Sequence, residues 1–180
     1  MIDLNSLWTQ AVSLHGCECP ALAVGVRAVA YAMEKFELPQ HGPYPVVCTA
    51  ESFCCGIDAV QALLGCTTGN AKLRIQNKKR MAFRFCNCKT QRSVSLQLVA
   101  QLRAGPDLTQ QVLAAPIHEL FAIRILDETP TKAPNSFLSS ACPLRSPEGP
   151  GASRQEPSSS AQPESGALTP PHCLGYDRDW

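Results

Sequence analysis

The chain has 180 residues, with 16 Lys+Arg against 15 Asp+Glu. No global field therefore makes nucleic acid or a membrane surface an obligatory partner. No run of 18 apolar residues exists to span a bilayer. Met1 to Leu14 lacks the basic start and compact apolar stretch of a secretory signal, so a cytoplasmic location is expected. The ten cysteines of such a chain point to metal, iron–sulfur or thiol chemistry rather than to disulfide staples.

Pro20 to Phe36 reads as the first helix. Leu22, Val26, Val29, Met33 and Phe36 form one apolar stripe. The opposite side is small, with Ala21, Ala23, Gly25, Ala28 and Ala32, which suits a deeply packed position or a close interface. Pro20 fits the first helical turn, where its missing N–H costs nothing. Val46 to Ala50 reads as a buried strand. A second helix is expected from Ser52 or Cys54 to Leu64, ended by Gly65.

From Lys72 the period changes to two. Leu73 and Ile75, then Met81, Phe83 and Phe85, then Val94, Leu96 and Leu98 alternate with polar residues. Turns at Asn77-Lys78-Lys79 and near Lys89-Thr90 would join three antiparallel strands. Asp107 to Ala115 reads as a short helix, and Leu120 to Leu126 as a strand or docked coil. The expected fold class is α+β, a helix-strand-helix-three-strand core with helices packed on a mostly antiparallel sheet. From Glu128 to Trp180, 53 residues include nine Pro and nine Ser. That composition predicts a disordered tail after a domain of residues 1–127.

Three segments carry the chemistry. His15-Gly16-Cys17-Glu18-Cys19-Pro20 places an imidazole and two thiols just before a helix. The positive end of that helix would lower the thiol pKa, and the donor set suits zinc, iron or copper(I). Glu51-Ser52-Phe53-Cys54-Cys55-Gly56-Ile57-Asp58 lies where a strand enters a helix, with Asp58 on the face shared by Cys54 and Cys55. Cys86-Asn87-Cys88 would put two thiols on the polar strand face beside Arg84, as a second metal site, a redox pair or part of a cluster across a dimer. In addition, the loop Cys66-Thr67-Thr68-Gly69-Asn70 suits an anion or other ligand. The basic residues Lys72, Arg74, Lys78, Lys79, Arg80, Arg84, Lys89 and Arg92 read as a solvated face. Without interleaved aromatics they argue against nucleic acid.

These motifs resemble the FmdE family, named for the FmdE component of formylmethanofuran dehydrogenase. That family carries His-Gly-His-x-Cys-Pro before a Gly/Ala-rich helix with Arg, an acidic residue, Cys-x-x-Asp-Ala-(Ile/Val)-Gln, and Gly-Cys-Thr-x-Gly. The corresponding residues here are His15 to Pro20, Ala23 to Ala28 with Arg27, Glu51, Cys55 to Gln61 and Gly65 to Gly69. The resemblance covers roughly residues 10–127. It implies a metal-binding α+β domain with a mixed sheet, often dimeric, whose metal and cleft residues map onto His15, Cys19, Cys55, Asp58 and Cys66. Cys17 replaces the family's second histidine and softens the site. Phe53 stands where many members carry Asp.

The expected function is metal binding through His15, Cys17, Cys19 and Cys55, by zinc or an iron–sulfur centre, in a protein accessory to or part of a redox or one-carbon oxidoreductase system. Cys19, Cys55 and Asp58 are the catalytic candidates. Cys66, Thr67, Cys86 and Cys88 are the cofactor-binding candidates. A homodimer and a larger oxidoreductase are the expected partners, with no membrane and no nucleic acid. One alternative is a thiol-dependent redox or sulfur-transfer enzyme, with Cys19 or Cys55 as a low-pKa nucleophile and Cys54 or Cys17 resolving. The other is a non-catalytic metal-delivery or docking component, using the small face of the first helix.

Overall fold

The computed structural model describes residues 2–101, 105 and 107–127. The expected tail, with Cys142 and Cys173, lies outside the described residues. The elements run α1 (Leu4–His15), α2 (Pro20–Lys35), β1 (Val46–Ala50), α3 (Gly56–Leu64), β2 (Leu73–Ile75), β3 (Ala82–Asn87), β4 (Arg92–Leu98), α4 (Leu108–Ala114), α5 (Ile117–Leu120) and β5 (Phe121–Asp127). This is an α+β fold with a five-stranded mixed sheet in the order β2-β1-β3-β4-β5.

The first helix, α1, has no counterpart among the elements expected from sequence. Its signals are nevertheless present. The Asp3 carboxylate caps the start by accepting from the Asn5 N–H at 3.0 Å, as N-cap residues do. Leu4, Leu7, Trp8, Ala11 and Val12 recur at helical spacing, with Leu7 and Ala11 fully buried. His15 continues that stripe. The last turn ends at Gly16, whose φ is 86° and whose N–H donates to the Val12 carbonyl at 2.8 Å.

The sheet topology corrects the expected run of three antiparallel strands. β2 pairs in parallel with β1, Cys48 opposite Leu73, and does not form a hairpin with β3. Instead β1 lies between them and pairs antiparallel with β3, Cys48 opposite Phe85. The connection through Asn77 thus passes the carboxyl end of β1. It is held by Glu51, whose carboxylate accepts from Lys78 Nζ at 2.8 Å and from Arg80 Nε. The strands β3 and β4 do form the expected antiparallel pair, and β5 extends it, with Leu96 opposite Ile123.

The core lies between the sheet and the helices. Val46, Cys48, Ala50, Phe83, Phe85, Val94 and Leu96 meet Leu22, Val26, Val29, Met33, Val60 and Leu64, all buried. Phe83 and Phe85 stack with centroids 6.3 Å apart. The small face of α2 is used inside the chain, against α3. A Cβ on Gly25 would stand 2.5 Å from the Gly56 carbonyl oxygen. A Cβ on Gly56 would stand 2.8 Å from the Phe83 ring and 3.2 Å from the Ala21 carbonyl oxygen. All three distances are shorter than ordinary van der Waals contact, so the two helices cross this closely only because each carries glycine there. Among the described residues, no helix is long and apolar enough to cross a membrane.

Candidate metal centre

Three helix ends converge beside this glycine crossing. The last residue of α1 is His15. The residue before α2 is Cys19, in extended backbone, whose sulfur accepts from the Leu22 N–H at 3.3 Å and so caps the helix. The residue before α3 is Cys55, in helical backbone and without a side-chain cap bond. One ligand atom from each of these three residues lies within 4.8 Å of the other two, and all three residues are half-buried.

The histidine is oriented by a second pair of residues. Its Nδ1 lies 2.7 Å from Asp58 Oδ2, and its Nε2 lies 3.6 Å from Cys19 Sγ. With Nδ1 donating to that carboxylate, Nε2 faces the Cys19 sulfur. Asp58 is held in turn by the side-chain amide of Gln61, at 3.1 Å. Asp58 and Gln61 sit three apart on α3 and share a face. The same helix therefore presents Cys55 and the group that aims His15.

Helix position does not lower every thiol pKa as expected. Burial, followed by the neighbouring sulfur of Cys19, pushes Cys55 up to about 12. Burial likewise raises Cys54, against a hydrogen bond from Ser52. Desolvation is the largest cause at both sites. The expectation of a low-pKa nucleophile thus does not hold for Cys55.

The other sequence candidates lie elsewhere. Cys17 is disulfide-bonded and is not in the three-residue group. Cys66 is buried and donates to the Val46 carbonyl at 3.2 Å. Burial raises its pKa to about 11, with Lys72 pulling the other way. Thr67 is engaged within its own loop: its Oγ1 accepts from the Asn70 N–H at 3.1 Å, and its N–H donates to Asn70 Oδ1 at 3.0 Å. Cys86 lies on β3 opposite Val47 and Ser93. Cys88 falls beyond the strand, its N–H donating to the Pro45 carbonyl at 2.7 Å. The intervening Asn87 is buried and accepts from Lys89 N–H, which makes this a built turn. Phe53 is 58% exposed on the loop before Cys54. Gln61 closes the Cys-x-x-Asp-Ala-(Ile/Val)-Gln motif but is not among the site residues expected from sequence. Its spacing of three from Asp58 is the available signal.

No curated protein matches the chain. A crystal structure at 1.90 Å of a tungsten formylmethanofuran dehydrogenase FmdE-like protein from Syntrophus aciditrophicus shares the fold, with a TM-score of 0.54 and 21% identity over 71% of this chain and 73% of that one. The family model described as FmdE, molybdenum formylmethanofuran dehydrogenase operon, matches residues 14–133. That span includes all three converging donors and the sheet beneath them, and the chain belongs to the FmdE family.

Proposed function

We propose that the chain is a metal-binding FmdE protein that holds one ion, best zinc, between His15, Cys19 and Cys55. The observation that carries this reading is the approach of one imidazole and two sulfurs to within 4.8 Å from three separate helix ends. Sulfurs on a tetrahedral zinc, each at ~2.3 Å, stand about 3.8 Å apart. The donors therefore need only a small contraction. The Asp58–His15 contact supports the same reading, because metal-bound imidazoles characteristically donate their second nitrogen to a carboxylate. A mixed set of one nitrogen and two sulfurs favours a single ion over an iron–sulfur cluster, which is ordinarily held by four thiolates. Cys17 is the natural fourth donor once its disulfide is reduced. We also propose a cytoplasmic location, where the Cys17 disulfide would be reduced.

The family description ties its members to a formylmethanofuran dehydrogenase operon. We therefore propose an accessory or subunit role beside a larger oxidoreductase, and separately propose a homodimer. Metal analysis of anaerobically purified protein tests the central point. One ion per chain is expected, lost in the double variant His15→Ala, Cys55→Ser. A folded, metal-free wild-type protein overturns the reading. An absorbance spectrum separates the metals, since zinc is silent and iron–sulfur is coloured.

One observation favours a second reading, a thiol enzyme. His15 Nε2 stands beside Cys19 Sγ while Asp58 holds the opposite nitrogen, which is the order of nucleophile, base and orienting carboxylate. In that case Cys19, not Cys55, is the nucleophile. Iodoacetamide discriminates. Rapid labelling of Cys19 in untreated protein supports the enzyme, whereas labelling only after chelation supports the metal site.

A further inference from the structure

Resting on the three-donor reading, we propose that Cys19 and Cys55 are also a redox pair: a peroxide closes them into a disulfide and thereby expels the ion. The two sulfurs belong to the same close donor group, within 4.8 Å of each other. Their backbones are adjacent as well. A Cβ on Gly56, the residue after Cys55, would lie 3.2 Å from the carbonyl oxygen of Ala21, two residues after Cys19. Bridging requires Cα atoms within roughly 7 Å and sulfurs at about 2.0 Å. The glycine crossing holds the two helix starts together. Both residues are half-buried, so a small oxidant reaches them. Cys48 and Cys66, by contrast, are buried.

The chemistry balances with peroxide as the oxidant. One thiolate attacks the peroxide, the O–O bond breaks, and a sulfenic acid and one hydroxide form. The second thiolate attacks the sulfenic sulfur, a second hydroxide leaves, and the S–S bond forms. Two electrons pass from the sulfur pair to the two oxygens. Two of the three donors are consumed, and His15 alone does not retain the ion.

The test uses the full chain, reduced, desalted anaerobically, and then treated with hydrogen peroxide with and without bound zinc. We expect one zinc released per chain, one Cys19–Cys55 linkage by tandem mass spectrometry, and recovery of both thiols and zinc binding on reduction. Cys19→Ser or Cys55→Ser abolishes the linkage. Should a variant fail to fold, bridging of the wild-type thiols by dibromobimane gives the same information. Sulfinic acid without linkage, pairing of either sulfur with Cys17 or Cys54, or no oxidation at all overturns the proposal. The metal-stripped chain forms the disulfide whether or not zinc is the resident ion. A failed metal reading, seen as no ion in untreated protein, is thus distinguishable from a failed redox pair.

Discussion

Asp58 is the residue whose role is easiest to isolate. It touches His15 and Gln61 and contributes no atom to the three-donor group. Asp58→Asn keeps the shape of the side chain but removes the charge that fixes the imidazole tautomer. Metal affinity should fall about 10–100-fold, measured by competition with a chromophoric chelator, with the circular dichroism spectrum unchanged. An unaltered affinity would remove Asp58 from the site. Protons also compete with the ion. Cys55 with its pKa pushed up to about 12 must lose its proton to bind, so affinity should rise steadily with pH through the neutral range. A pH-independent affinity would argue that Cys55 is not a ligand.

At the scale of elements, the glycine crossing of α2 and α3 sets the site. Gly25→Ala places a methyl against the Gly56 backbone, and neither helix start can yield without moving Cys19 or Cys55. Overpacking of this kind typically costs ~1–3 kcal/mol. We expect Gly25→Ala to lower the unfolding midpoint in urea and to weaken metal binding together. Ala28→Gly, on the same helix at a buried position, is the control. It should lower stability by helix propensity, about 1 kcal/mol, while sparing the metal. Equal losses of metal binding in the two variants would show that the crossing has no special part in the site.

Across the whole molecule, the link from β1 through α3 to β2 puts Cys55 just past the carboxyl end of a parallel strand, where open sheets ordinarily build their sites. The same strand end is fastened to the β2–β3 connection by Glu51. The hydrogen bond from Arg80, more than that from Lys78, holds the Glu51 carboxyl below its ordinary range. The folded pKa is therefore lower than the unfolded value of about 4.3. The resulting stabilisation is present above that value and is lost as pH falls through the folded pKa. Glu51→Gln should lower the Tm at neutral pH, and the wild-type and variant curves should converge as pH falls below about 4. A gap that persists at lower pH would mean that Glu51 acts by packing rather than by charge.

Much of this protein is legible without coordinates. The stripe from Leu22 to Phe36, the apolar run at Val46 and the alternation through Phe83 and Phe85 are local periodicities, and local periodicity follows from burial on one face of an element. His15, Cys19 and Cys55 are legible as donor types, the two cysteines at helix starts. Strand pairing is not legible. The alternation at Leu73 is the same whether β2 joins β1 or β3, because the pattern records which face is buried and not which neighbour lies alongside. The signals of α1, the Asp3 cap and the stripe from Leu4 to Val12, are present but short. The convergence of residues 15, 19 and 55 depends on α2 and α3 approaching at Gly25 and Gly56. A sequence shows two small residues 31 positions apart; only the folded chain determines that they face each other, because that choice is made by the summed packing of the core and not by either segment alone.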